Sequence, residues 1–261
     1  MKNKFQKYKG FIFDMDGTIY LENKMIEGAA ETLNYLLKKK KHILFVTNKT
    51  TQNKNEYSDF LNSNNVHILP EQIITAADTC TNYLAKEKKG KFFYAIGEQV
   101  FISQIQNAGL TFTENPQKAE ILLVTLDRNY SKFKFEIAKK TLENNAEFFA
   151  ANIDNTCPVI RGEIIDAGIV ISELEVATGK KLQNHFGKPS KFMISEIKKR
   201  LIYNPEEYIL IGDRLETDIF MGNNIGMDTA LVKSGVSNKL ANSTFQSTFT
   251  INSIQEILNG K

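Results

Sequence analysis

Two carboxylates stand two residues apart at the end of an apolar run, in Phe11-Ile12-Phe13-Asp14-Met15-Asp16-Gly17-Thr18. Acids held this close repel each other unless a cation or a shared proton intervenes. Mg²⁺ suits such a pair, because it takes hard oxygen ligands and keeps waters and substrate phosphate in its shell. Gly17 permits a turn and a close approach of backbone to ligand. The plain alternative is a solvated acidic turn. A calcium loop of the EF-hand kind fits less well, since counting from Asp14 the twelfth position holds Met25 rather than glutamate.

Three further stretches carry the same kind of signal. Leu44-Phe45-Val46-Thr47-Asn48 ends an apolar run in a hydroxyl and an amide, which can donate to phosphate oxygens but are also ordinary turn residues. Gly187-Lys188-Pro189-Ser190 puts an ammonium just before a helix start, where the helix dipole already favours an anion; a surface lysine is the alternative. Ile209-Leu210-Ile211-Gly212-Asp213 delivers another acid at the end of an apolar run, with Asp218 five residues on. One of these two acids could simply cap a helix; both doing so is harder to accept.

The elements that must position these groups follow from periodicity. Short apolar runs at 10–13, 42–46, 92–96, 121–125, 147–151, 208–211 and 228–232 read as buried strands. Amphipathic or capped stretches at 27–40, 52–64, 98–108, 131–144, 166–178, 190–201, 216–225 and 253–259 read as helices, with Gly179 ending the fifth. Strands alternating with helices predict an α/β protein with a mostly parallel sheet. In such a sheet ligands bind beyond the carboxyl ends of the strands, which is where Asp14, Thr47 and Asp213 fall. The chain between Thr47 and Lys188 is too long for a connection, so much of it must form a second domain.

The four stretches, in this order, resemble the four motifs of the haloacid dehalogenase superfamily. The long insert between Thr47 and Lys188 resembles its type-two (C2) cap. Gly17-Thr18-Ile19-Tyr20, Ile26-Glu27-Gly28-Ala29, Ala151-Asn152-Ile153-Asp154 and Ala177-Thr178-Gly179-Lys180 are similar to the NagD and 4-nitrophenylphosphatase branch, subfamily IIA. The resemblance implies a Rossmann-like core of residues 1–77 and 183–261, with an α/β cap at 78–182. It implies an Mg²⁺-dependent phosphatase acting on small phosphomonoesters. Asp14 would attack phosphorus and form an aspartyl-phosphate, and Asp16 would serve as acid and then base. Asp14, the Asp16 backbone carbonyl and Asp213 would hold the metal, with Asp218 orienting its waters. Thr47, Asn48 and Lys188 would hold the phosphate oxygens, and Asn152 and Asp154 are the cap residues expected near substrate. Two positions depart from the branch: Lys49 stands where Asn is frequent, and Ile165-Asp166-Ala167-Gly168 where Pro-Gly-Ala-Gly is frequent. Both bear on substrate preference. A phosphotransferase or mutase on the same core, or a phosphate-sensing regulator, is the alternative; Asp16 and the long insert count against the regulator.

The bulk properties agree. The 33 basic and 30 acidic residues nearly cancel, so the chain lacks the basic excess of a nucleic-acid binder, and the lysine run at 38–41 reads as the end of a helix. No apolar run approaches the roughly 20 residues of a membrane helix. Two cysteines without metal-type spacing, and an N-terminus without an apolar leader core, fit free thiols in the cytoplasm. The expected partner is a small phosphorylated metabolite, with no nucleic acid or membrane, and with pairing of two copies through the cap open as in the resembled branch.

Overall fold

The computed structural model describes residues 4–160, 162–235 and 246–258. In chain order it begins with β1 (Gly10–Asp14), a two-stranded hairpin of β2 (Tyr20–Leu21) and β3 (Lys24–Met25), α1 (Ala29–Lys38), β4 (His42–Thr47), α2 (Lys54–Ser63) and β5 (Ile73–Thr75). Then come α3 (Ala76–Glu87), β6 (Phe92–Ile96), α4 (Gln99–Asn107), β7 (Thr111–Phe112), β8 (Ile121–Val124), α5 (Lys132–Glu143) and β9 (Glu147–Ala150). A hairpin of β10 (Thr156–Val159) and β11 (Gly162–Ile165) leads to α6 (Ala167–Thr178) and β12 (Asn184–His185). The chain continues through α7 (Lys191–Lys198), β13 (Tyr208–Gly212), a π-helical turn at Leu215–Ile219, α8 (Phe220–Ile225), β14 (Asp228–Val232), β15 (Phe249–Ile251) and a 3₁₀ turn at Ile254–Leu258.

Two parallel sheets result. One has the order β15-β14-β13-β1-β4-β5, the other β12-β9-β8-β6-β7. Side chains alternate across each sheet with the period of two that a strand dictates. Phe11 and Phe13 face α1 and α2, together with Phe45 and Ile211, whereas Ile12, Leu44 and Leu210 face α7 and α8. In the second sheet Phe93, Leu123 and Phe149 face α3 and α4, while Tyr94, Leu122 and Phe148 face α5 and α6. Helices therefore cover both faces of both sheets, which is why these strands read as continuous apolar runs rather than as alternating ones. Each fully buried Phe or Leu contributes about 1.5–3 kcal/mol, and this packing sets the strand ends firmly.

β1 lies at the switch point of the first sheet. The chain passes from it to β4 and β5 on one side, and β13, β14 and β15 lie on the other. The carboxyl ends of β1, β4 and β13 thus open on one crevice.

The seven strands expected from apolar runs and most of the expected helices fall where the pattern places them, within a few residues at their ends, whereas the short strands β2, β3, β5, β7, β12 and β15 carried no such signal. Larger features also differ from the expectation. The α3 helix occupies 76–87, capped by Thr75, whose hydroxyl accepts from the Asp78 N–H at 2.9 Å. The 78 boundary expected for the second domain falls inside this helix, and β12 carries the second sheet just past 182. The β10–β11 hairpin lies in a stretch without a clear period. Finally, the helix expected over 216–225 begins as a wide turn, in which the N–H groups of Asp218 and Ile219 both donate to the Arg214 carbonyl. That widening turns the Asp218 carboxylate inward, and π-turns of this kind gather at functional sites.

Candidate active site

Asp14 ends β1 and is buried, with Thr18 Oγ1 donating to its Oδ2 at 2.9 Å. Lys188 arrives from the loop before α7, whose first turn Ser190 caps by accepting the Met193 N–H. Its Nζ lies 2.5 Å from Asp14 Oδ1 and 2.7 Å from Asp218 Oδ1. Asp213 follows β13, and oxygens of Asp14, Asp213 and Asp218 all lie within 4.8 Å of one another. Residues up to 204 apart in sequence therefore meet, and all three carboxylates are buried.

The backbone is fitted closely round Asp213. Gly17 has φ of 80°, and a Cβ there would stand 2.6 Å from Asp213 Oδ2. A Cβ on Gly235 would come closer still. Three hard oxygen donors in a cradle that excludes even a methyl group suit a small divalent cation such as Mg²⁺.

The electrostatics point the same way. Burial pulls the Lys188 ammonium down, yet Asp14 and Asp218 outweigh it and hold the ammonium well above its usual range. Burial raises the Asp218 carboxyl to about 6, against the pull of Lys188. One ammonium is thus shared by more carboxylates than it can neutralise.

Asp16 sits at the rim. Lys49 Nζ donates to its Oδ1 at 2.8 Å and Tyr20 Oη to its Oδ2 at 2.9 Å. Burial pushes the Asp16 carboxyl up, with the Lys49 ammonium pulling against it. Thr47 is buried at the end of β4, and its Oγ1 accepts the Lys49 N–H at 3.1 Å. Asn48 is occupied by protein groups: its Oδ1 accepts the Lys188 N–H at 2.6 Å and its Nδ2 donates to Asp154 Oδ2 at 2.8 Å. Asn48 therefore ties the Lys188 backbone to the second sheet's loop.

That loop closes the site from above. Thr50 and Thr125 share a 2.6 Å hydroxyl bond, Thr125 donates to Asn152, and Asn152 donates to Asp166 at 3.0 Å. Arg214 Nη2 donates to the Thr156 carbonyl at 2.6 Å, and the Ile160 N–H donates to Glu22 at 3.0 Å, so the hairpin is held at both ends. Of the two cap residues expected near substrate, Asp154 lines the cavity beside Asp14, whereas Asn152 is fully buried behind it with both amide atoms engaged. The cap residue that reaches the cavity wall beside Asp154 is Asp166. Sequence reasoning marked Lys49 and Asp166 only as departures from a pattern; those departures were the signal that both face the site. Arg214 had no signal beyond its place beside Asp213.

Residues 11–111 match the model of the haloacid dehalogenase-like hydrolases, and 185–257 match a second HAD-hydrolase-like model. The chain belongs to the haloacid dehalogenase-like hydrolases. It is 32% identical to an acid sugar phosphatase of Staphylococcus haemolyticus, over 91% of this chain and 88% of that one. It is 34% identical to the 5'-nucleotidase YutF of Bacillus subtilis, over 89% and 90%. Among solved structures it resembles NagD of E. coli K-12, with a TM-score of 0.80, 28% identity and coverage of 95% of this chain and 98% of that one. It also resembles a p-nitrophenyl phosphatase of Archaeoglobus fulgidus, with a TM-score of 0.85, 25% identity and coverage of 97% and 99%. Within the haloacid dehalogenase-like hydrolases it falls in the NagD-like subfamily IIA, a branch of phosphoric monoester hydrolases. No described helix is long and apolar enough to cross a membrane.

Proposed function

We propose that this protein is an Mg²⁺-dependent phosphatase that hydrolyses small phosphomonoesters through an aspartyl-phosphate on Asp14. The observation that carries the reading is the buried group of Asp14, Asp213 and Asp218 with a single lysine reaching into it. The names of the similar proteins, a sugar phosphatase, a nucleotidase and nitrophenyl phosphatases, support the same class.

Asp14, the backbone carbonyl of Asp16 and Asp213 would hold Mg²⁺, which when bound neutralises charge on the phosphoryl oxygens. The chain's own residues do the rest. Lys188 pairs with Asp14 at 2.5 Å and offsets the charge that a dianionic phosphate brings beside it. Asp14 attacks phosphorus in line, and the ester oxygen leaves. Asp16, whose carboxyl burial raises, delivers a proton to that oxygen and later takes one from the hydrolytic water. Thr47 at the end of β4 supplies a hydroxyl to the phosphate. The second sheet with its helices and the β10–β11 hairpin acts as the cap, and the bonds from Asn48, Thr50 and Arg214 hold it over the site to exclude water.

Hydrolysis of 4-nitrophenyl phosphate with Mg²⁺ and with chelator tests the reading. Asp14→Asn should lose roughly 10⁴-fold or more in kcat, since an amide is a poor nucleophile. Turnover within tenfold of wild type would refute the assignment. Asp16→Ala should retain Mg²⁺ affinity while losing turnover, because the metal would contact only its backbone.

A further inference from the structure

Asp166 is 5% exposed, at the wall of the cavity that also holds Asp14. Its Oδ1 is committed, accepting from Asn152 Nδ2 at 3.0 Å and from the Ala167 N–H at 2.6 Å. Its Oδ2 makes no hydrogen bond among the described residues. The side chain cannot easily turn away, because Asn152 is itself fully buried and fixed by Thr125, which is fixed by Thr50. Unlike the few buried side-chain polar atoms that lack a partner, this oxygen keeps access to solvent, and the solvent beside Asp166 is the cavity, so a donor on a bound ligand can reach it.

The cavity itself is small, about 30 Å³, or room for roughly two waters. Through Lys49 and Cys157 it adjoins a larger space of about 470 Å³. With the phosphate at Asp14, the alcohol portion of the ester must run along this wall. Asp154 and Arg214 face Asp166 there, and burial with the Asp154 charge raises its carboxyl to about 7. A plain alkyl group would bury Oδ2 unpaired, whereas a donor on the alcohol would satisfy it.

We infer that Asp166 reads the leaving group and selects phosphomonoesters whose alcohol carries a hydrogen-bond donor, hydroxyl or ammonium, close to the ester oxygen. This rests on the phosphatase reading and narrows its substrate class.

Matched substrates test it: n-propyl phosphate, 3-hydroxypropyl phosphate, glycerol 1-phosphate and 3-aminopropyl phosphate, compared by kcat/KM in wild type, Asp166→Asn and Asp166→Ala. Ratios between substrates within one enzyme cancel any general loss of activity. Wild type should favour at least one donor-bearing substrate over the propyl ester by about tenfold to a hundredfold. Asp166→Ala should bring that ratio near one. In Asp166→Asn the ammonium preference should collapse, while a hydroxyl preference should fall only in part, because an amide still pairs with a hydroxyl; this arm separates the two donors. Circular dichroism and thermal melts confirm folding of each variant. Ratios near one in wild type, or unchanged ratios in Asp166→Ala, overturn the inference. Wild type that hydrolyses none of the four, nor 4-nitrophenyl phosphate, overturns the phosphatase reading instead.

Discussion

Replacing Lys188 with Met keeps the stem and removes the charge from the centre of the site. The ammonium is buried with Asp14 at 2.5 Å and Asp218 at 2.7 Å, and no other cation is in salt-bridge contact with those two carboxylates among the described residues. Removing one partner of a buried ionic group costs about 3–5 kcal/mol, because the other charges stay buried without compensation. At roughly 2–4 °C per kcal/mol for a chain of this size, Lys188→Met should melt about 6–20 °C below wild type in metal-free buffer. The effect on metal has the opposite sign. Lys188 and Mg²⁺ compete to neutralise the same carboxylates, so the variant should bind Mg²⁺ at least about tenfold more tightly while losing turnover. Mg²⁺ should also recover much of the lost melting temperature by mass action. Melting by calorimetry, with and without Mg²⁺, and isothermal titration with Mg²⁺ measure both. A melting point within 2 °C of wild type, or weaker Mg²⁺ binding in the variant, would refute the reasoning that one lysine is shared by an excess of buried acid.

Other substitutions probe separate parts of the argument. Gly17→Ala forces a side chain into φ of 80° at about 1–2 kcal/mol and aims its Cβ at Asp213 Oδ2; Mg²⁺ affinity by titration should fall, and unchanged affinity would remove Asp213 from the metal site. Asp166→Asn should alter the pH dependence of stability. The wild-type carboxyl titrates at about 7 when folded and near 3.9 when unfolded, so the folded state holds the proton longer. Stability from this group is therefore complete below pH 4 and is lost as pH rises to 7. The variant should gain on wild type by about 2–3 kcal/mol between pH 5 and pH 8, read from urea midpoints; parallel curves would show that the carboxyl titrates normally.

The acids of the site were legible because each stands where a strongly local pattern stops. Phe11-Ile12-Phe13 and Ile209-Leu210-Ile211 cannot be other than buried, and the chain must turn polar where the sheet ends, so Asp14 and Asp213 fall at the same edge. Lys188 was legible from Gly187 and Pro189, which break one element just before the next starts. The cap resisted for the converse reason. β10 and β11 are four residues each, with Pro158 within one and a single buried residue between them, so they carry no period. The α3 helix has Thr, Asp and Asn among its residues and declares itself only by what it packs on, namely α4 and the core around Phe93.

The side chains that sequence could not assign are those whose role depends on a partner far away in the chain. Asp166 looks like an ordinary helix cap until Asn152 is seen to hold one of its oxygens and the cavity the other. Lys49 looks like a solvated turn residue until Asp16 and the Tyr20 ring are seen to take its ammonium. Both are charges largely withdrawn from water that line the same cavity as Asp14. On the proposed reading the reaction rests on Asp14, Asp16, Lys188 and Asp213, and substrate preference on Lys49 and Asp166.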